Sequence, residues 1–321
     1  MLLNVRAPVR IDFAGGWSDV PLFADTHGGA TLNAAVELYV EGFAEVGGHA
    51  DLNPTGKGAQ GKAALSTGFE GVRIHYETAI PAGSGLGTSG ALNVVWRALV
   101  EGQVPESEQQ RIALAERAYA IEACLGIVGG KQDQCAAAFG GCTLYQFAKD
   151  RITPTRVQIS PERLRELEGL LTLCYSGSAR LSSKLHENVW GRYQQGTPEV
   201  VNALCALRDS AHQAKALLEG GDLAALGSLL SDQHSFARIL EPSTDNDQVR
   251  EVFGLVRNSI IGGKCCGAGG GGCIVFLSAS ERDQQRTAQT LQQAGVRIFP
   301  VKFTQGGISD AGAARAVSTI S

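Results

Sequence analysis

One segment restricts the fold more sharply than any other: Pro81-Ala82-Gly83-Ser84-Gly85-Leu86-Gly87-Thr88-Ser89-Gly90, set between a strand-like stretch and a helix-like one. Glycine lacks a Cβ, so this backbone can adopt positive φ and lie close against a ligand or another segment. Glycines and small hydroxyls expose consecutive N–H groups at the positive end of a helix dipole, an arrangement that suits a chain of phosphates. Thr88 or Ser89 can add a hydroxyl to a magnesium ion. The structural alternative is a tight turn with a capping hydroxyl. Residues 85–90 also spell GxGxxG, but a dinucleotide fold needs an acid-ended strand about 20 residues on, where residues 105–125 read as helix. No GxxxxGK[ST] string occurs, which excludes a Walker loop.

Glycine supplies 41 of 321 residues, nearly twice the usual share of roughly 7%. A second concentration, Gly262-Gly263-Lys264-Cys265-Cys266-Gly267-Ala268-Gly269-Gly270-Gly271-Gly272, runs straight into the strand-like Cys273–Leu277. So many glycines cost backbone entropy on folding, and a surface linker has no reason to be joined to a buried strand. The pattern predicts a loop of close approach. A third constellation is Glu122 and Asp133, flanking Gly126–Gln132 between a helix and the next strand. Phosphoryl transfer to an alcohol needs a metal bridging phosphate oxygens and a group that orients the attacking hydroxyl; one acid can serve each need. Isolated acids are usually solvated, so these two gain meaning only with the loops around them. Asp19 and Arg10, the latter two residues before Asp12, form a similar pair of polar candidates beside the Gly15-Gly16 turn, with a strand-end salt bridge as the alternative.

Other chemistries find little support. The net charge of −4, without a long Lys/Arg run, argues against a nucleic-acid or anionic-membrane partner and for a small molecule. The start lacks a signal-peptide core, and no stretch reaches the 18 or so apolar residues of a membrane span; the chain reads as cytoplasmic. The eight cysteines form neither a zinc pattern nor a disulfide framework. The six histidines include no HxxxH or HExxH pair, and no GxSxG elbow is present.

Along the chain, residues 1–80 read as strands and turns, with 47–71 as hairpin turns or a flap. Helices follow from Thr88 and over 107–125, then a strand over 141–147. The best boundary lies in 150–168. Beyond it the pattern predicts strands at 170–175, 273–278 and 297–303 and helices near 181–194, 198–219, 222–231, 245–258 and 281–294. This is an α+β layer with helices against a mostly antiparallel sheet. The last dozen residues carry little to anchor them.

Taken in order, three segments resemble the GHMP small-molecule kinase superfamily across essentially the whole chain. Arg6-Ala7-Pro8-Val9-Arg10-Ile11-Asp12-Phe13-Ala14-Gly15-Gly16-Trp17-Ser18-Asp19 is similar to its opening motif in the sugar-kinase form. Pro81–Ala91 resembles its PxxxGLGSS phosphate loop, with Thr88 where many members have Ser, and Lys264–Gly272 resembles its C-terminal glycine motif. The resemblance implies a two-domain GHMP kinase fold: a ribosomal-protein-S5-domain-2-like N-terminal domain (1–155) and a ferredoxin-like C-terminal domain (156–321). It implies ATP and Mg2+, with Gly83, Ser84, Gly85, Leu86, Gly87, Thr88 and Ser89 around the phosphates and Ser89 and Glu122 on the metal. Asp133 would be the base or orienting carboxylate, assisted by Arg10. Asp19, with Gly16, Trp17 and Gly269, would meet the substrate, and Arg180 in Tyr175-Ser176-Gly177-Ser178-Ala179-Arg180 would reach substrate or γ-phosphate. Within the superfamily Gly15–Pro21 looks like fucokinases and bacterial heptose kinases, implying phosphorylation of a sugar or sugar phosphate for nucleotide-sugar synthesis. A homodimer is left open. The alternatives are a catalytically silent sensor of the same fold and an isoprenoid-pathway kinase.

Overall fold

The computed structural model describes residues 3–46, 63–69, 72–177 and 182–312. The first lobe begins with β1 (Asn4–Ala14), α1 (Pro21–His27), β2 (Gly29–Val46), β3 (Ala63–Phe69) and β4 (Val72–Thr78). It continues with α2 (Thr88–Glu101), α3 (Glu108–Cys124), α4 (Gln132–Phe139), β5 (Cys142–Ala148) and β6 (Arg151–Arg156). β2 is its spine. One edge pairs antiparallel with β1, while the other pairs with β5 through Gly29–Ala34 and with β4 through Val40–Val46. β1 alternates in sequence, yet every residue from Ala7 to Ala14 is buried, because both of its faces are covered.

The second lobe comprises α5 (Pro161–Leu170), β7 (Leu171–Tyr175), α6 (Ser182–Gln194), α7 (Pro198–Gly220), α8 (Leu223–Leu240) and α9 (Asp247–Val256). It ends with β8 (Gly262–Cys265), β9 (Cys273–Leu277), α10 (Glu281–Gln293) and β10 (Arg297–Phe299), in an antiparallel sheet of order β10-β7-β9-β8. Period-two alternation divides this sheet. Cys174, Ile274 and Phe276 pack with Val249, Val252, Val256 and Leu291 of α9 and α10, whereas Leu173, Val275 and Leu277 join the core shared with the first lobe.

Helix starts follow their caps. Ser107 and Gln110 form a reciprocal capping box on α3, and Ser160, Asp222, Asn246 and Ser280 cap α5, α8, α9 and α10. Two short helices escape periodicity. α1 is seven residues long, and seven of the eight residues of α4 are buried, leaving no wet face to reveal a 3.6-residue period. α8 runs to Leu240 rather than 231, and the segment read as turns contains β3 at 63–69. Residues 47–62 of that segment lie outside the described residues.

After β10 the chain returns to the first lobe. Val36 bridges Phe303, β11 (Ser309–Asp310) pairs with β1, and Ile308 N–H donates to the Ala137 carbonyl of α4 at 2.8 Å. Ile308 is 1% exposed within the main core. Ile308→Ala is expected to lower stability by about 2–4 kcal/mol through lost burial and a residual cavity. Urea unfolding measures it; a change below about 0.5 kcal/mol, the usual range for surface substitutions, would show that the returning segment is not part of that core.

Candidate active site

The loop after β4 delivers the chain to α2 through Gly87, whose φ of 78° lets it turn into the helix without offering a side-chain cap. The first N–H groups of a helix have no intrahelical acceptor, so this end presents donors and the positive end of the dipole to a cleft of about 270 Å³. The second lobe braces the loop from behind. Cys273 N–H donates to the Ser84 carbonyl at 2.7 Å, and a Cβ on Gly85 (φ +74°) would stand 2.3 Å from the Cys266 carbonyl oxygen. Only glycine fits there. Gly83, Gly85 and Ser89 line the cleft, while Ser84 and Leu86 are buried beneath it and the Thr88 and Ser84 hydroxyls share a 3.2 Å hydrogen bond.

Arg10 of β1 and Asp133 in the first turn of α4 meet at the centre. Arg10 Nε and Nη2 both donate to Asp133 Oδ1, at 2.9 and 2.5 Å, and Nη1 donates to the Gly85 carbonyl at 2.5 Å. Asp133 Oδ2 has no hydrogen-bond partner among the described residues, and the side chain keeps 30% exposure towards the cleft. Burial alone would lower the Arg10 pKa; Asp133 and Asp12 outweigh it and hold the guanidinium above its ordinary value.

On one side of this pair, Ser89 Oγ donates to Glu122 Oε1 at 2.8 Å, and Asn93 and Gln134 amides donate to the same carboxylate at 3.0 and 2.9 Å. Burial first, and repulsion from Asp133 second, push the Glu122 pKa up against these hydrogen bonds. Among the described residues no three His, Cys, Asp or Glu side chains gather around a cation site. A hydroxyl beside a carboxylate is nonetheless a hard-oxygen pair of the kind that holds Mg2+ when phosphates and waters supply the other ligands. The residues therefore fit the ion that the resemblance implies.

On the other side, Asp19 is 1% exposed, and its Oδ2 accepts the Gln132 N–H at 2.9 Å. Burial, reinforced by repulsion from Asp133, raises its pKa to about 7. Gly130 permits the approach, since a Cβ there would lie 1.8 Å from Asp19 Oδ2. Trp17, at a positive φ of 77° that is uncommon for a bulky residue, stacks on His186 with centroids 4.5 Å apart. Gly269 lines this cleft and also a smaller cavity of about 20 Å³ behind it, where Gly16 lies. Arg180 lies outside the described residues.

Sequence reasoning missed the clamp behind the cleft. Lys264 of β8 donates to Asp12 Oδ2 at 2.6 Å and to the Asp12 carbonyl at 2.9 Å, Gly267 N–H donates to Asp12 Oδ1 at 3.0 Å, and Arg10 Nη1 approaches that oxygen at 3.5 Å. The Arg10–Asp12 salt bridge, a form of the strand-end alternative, is thus the weaker contact of each residue. Gln134 and His186 were also missed: neither belongs to a motif, and Glu122 defines the first while Trp17, 169 positions away, and Trp190, four positions on, define the second.

Family models for the GHMP kinases N terminal domain and the GHMP kinases C terminal match residues 57–141 and 213–297, together more than half of the chain. The chain belongs to the GHMP kinase family, and it is a kinase. A D-glycero-alpha-D-manno-heptose 7-phosphate kinase from Campylobacter jejuni is 28% identical over 95% of this chain and 98% of its own length. A bifunctional fucokinase/GDP-fucose pyrophosphorylase from Arabidopsis thaliana is 26% identical over 90% of this chain, which spans 31% of that longer protein. A solved D-glycero-D-manno-heptose 1-phosphate kinase from Bacteroides thetaiotaomicron superposes with a TM-score of 0.72 at 23% identity, covering 96% of this chain and 98% of that one. That likeness shows the fold: two α+β domains of the GHMP type.

Two outcomes follow from the geometry. Lys264→Met takes the closest counter-charge from the buried Asp12 carboxylate, leaving Oδ2 without its partner, and is expected to cost about 3–5 kcal/mol in denaturant unfolding, while adding Asp12→Asn recovers part of the loss. Additive losses in the double variant would contradict direct pairing. For Asp19 the raised pKa sets the sign. The protonated form is favoured on folding, so stability falls as pH rises from the unfolded carboxylate range through about 7. Asp19→Asn should therefore gain melting temperature relative to wild type at pH 8 compared with pH 5; an equal difference at both pH values would refute the assignment.

Proposed function

We propose that this kinase transfers the γ-phosphoryl group of ATP to a hydroxyl, the anomeric one, of a sugar or sugar phosphate of heptose or fucose type, for nucleotide-sugar synthesis in the cytoplasm. The observation that carries the reading is the position of Asp133. It lines one cleft with Glu122 and Asp19, and its two neighbours in the chain bond to them, Gln134 to Glu122 and the Gln132 N–H to Asp19, so one carboxylate borders the phosphate end and the sugar end of the cleft. The ATP phosphates rest on Gly83–Ser89 and the start of α2. Ser89 and Glu122 would hold Mg2+, which when bound would offset the negative charge of the phosphates. At the other end Asp19 accepts hydrogen bonds from sugar hydroxyls, beside Trp17 and with Gly269 shaping the wall, while Gly16 supports that wall from the smaller cavity behind it.

Because Arg10 engages Asp133 only through Oδ1, Oδ2 is free to accept the proton of the attacking hydroxyl, or to orient it. Arg10, fixed between Asp133 and the Gly85 carbonyl, keeps the carboxylate aligned and places positive charge beside the phosphoryl group in transit. Phosphoryl transfer asks for positioning and charge stabilisation rather than covalent chemistry. The relatives that are sugar kinases by name support a sugar acceptor, as does the buried carboxylate of the Gly-Gly-Trp-Ser-Asp turn. Neither a silent sensor nor an isoprenoid kinase gives that turn and the set Ser89, Glu122 and Asp133 a joint role. The division into 1–155 and 156–321 then corresponds to the two sides of the cleft, with the returning C-terminal segment crossing back.

Given Mg-ATP and a heptose 7-phosphate or L-fucose, the protein is expected to release ADP, and Asp133→Ala to do so at least about 10²-fold more slowly while still binding Mg-ATP. Turnover of that variant at the wild-type rate would overturn the role of Asp133; failure to bind ATP in either form would overturn the reading as a whole.

A further inference from the structure

His186 was not singled out by sequence and has no part in the transfer described above. It stands in the first half of α6, lines the cleft, and stacks on Trp17 with ring centroids 4.5 Å apart and planes at 33°. Its other fixed contact decides its chemistry. The indole Nε1–H of Trp190, 3% exposed one helical turn later, donates to His186 Nδ1 at 3.2 Å. An indole nitrogen can only donate, so Nδ1 is the unprotonated nitrogen and the ring proton resides on Nε2. Burial lowers the ring's pKa to about 4, which keeps it neutral at working pH. Nε2–H has no hydrogen-bond partner among the described residues, and it is not among the described buried polar atoms left unpaired.

We infer that His186 is a specificity residue of the acceptor site: a neutral Nε2–H donor, locked in that tautomer by Trp190, that hydrogen-bonds an oxygen of the sugar's polyol face. The inference rests on the reading of the Trp17–Asp19 end as the sugar end. It adds a complement to Asp19, because a hydroxyl is both donor and acceptor: the carboxylate takes hydrogen bonds from the sugar, and the imidazole gives one. It also has the second lobe reading the acceptor, since α6 carries His186 while β1 and the turn after it carry Arg10 and Asp19. A neutral donor recognises a hydroxyl or ring oxygen without the charge that a phosphate group would call for.

Two substitutions separate the donor from the ring. His186→Phe keeps an aromatic face against Trp17 and loses the proton; it should raise the acceptor KM about tenfold, as loss of one neutral hydrogen bond does, with the ATP KM unchanged. His186→Gln restores a donor and should recover most of that loss. An unchanged acceptor KM in a folded His186→Phe protein, or an equal rise in both KM values, would overturn the proposal. Independently of turnover, 15N-resolved imidazole shifts of the wild-type protein should show Nδ1 as the unprotonated nitrogen and Nε2 as the protonated one; the reverse tautomer would overturn it even if a variant failed to fold. Should the wild type phosphorylate no sugar, the sugar-kinase reading fails, and titration of the same sugars by calorimetry against wild type and His186→Phe still decides whether His186 holds a polyol.

Discussion

The buried pair Asp12–Lys264 is the interaction on which the rest depends. Its side chains are 2% and 7% exposed, so both charges have left water almost completely. Such a pair is weak evidence for stability, since desolvation offsets most of the attraction. Its value here is geometric. Asp12 takes hydrogen bonds from Lys264 and from the backbone of Gly267, and both donors belong to the second lobe. A residue of β1 in one lobe therefore fixes the glycine turn of the other.

From that clamp the cleft assembles in steps. Arg10 and Asp12 are two positions apart on β1 and share a face, so holding Asp12 also holds the guanidinium that grips Asp133 and the Gly85 carbonyl. The Gly267–Gly272 turn, pinned to Asp12, leads into Cys273, whose N–H supports the Ser84 carbonyl of the glycine loop before α2. On the far side, α4 brings Asp133 and Gln132 to the cleft and keeps Gln134 buried beside it, and the three meet Arg10, Asp19 and Glu122 in turn. The C-terminal return holds the other end of that helix through Ile308 and Ala137. Asp19 is buried close to a second carboxylate, an arrangement that disfavours ionisation and that a bound hydroxyl can relieve by donating a hydrogen bond.

Much of this was legible in the sequence because it is local. The phosphate loop announces itself through glycine, small hydroxyls and a strand-to-helix transition, and the long helices and the second sheet follow from periodicity and caps. Asp133, Glu122, Ser89, Asp19 and Arg10 could be named from motif resemblance, and the structure brings all five to one cleft. What stayed hidden is non-local or unpatterned. Asp12 and Lys264 are 252 positions apart, and neither sequence neighbourhood shows that one compensates the other. α4 looked like a link because it is short and buried on nearly every side, leaving no polar stripe. His186 has no motif at all; its meaning comes from Trp17 before it in the chain and Trp190 after it.

In the proposed reaction the cleft joins a nucleotide phosphate end to a sugar end across Asp133. Phosphorus NMR of products formed from Mg-ATP with L-fucose, D-arabinose, mannose, galactose, sedoheptulose 7-phosphate and D-manno-heptose 7-phosphate tests it most directly. The account predicts a new sugar phosphate at the anomeric position from one acceptor class, in step with ADP. ATP consumption without a sugar-linked phosphorus signal, or no consumption with any acceptor while Mg-ATP binds, would contradict it.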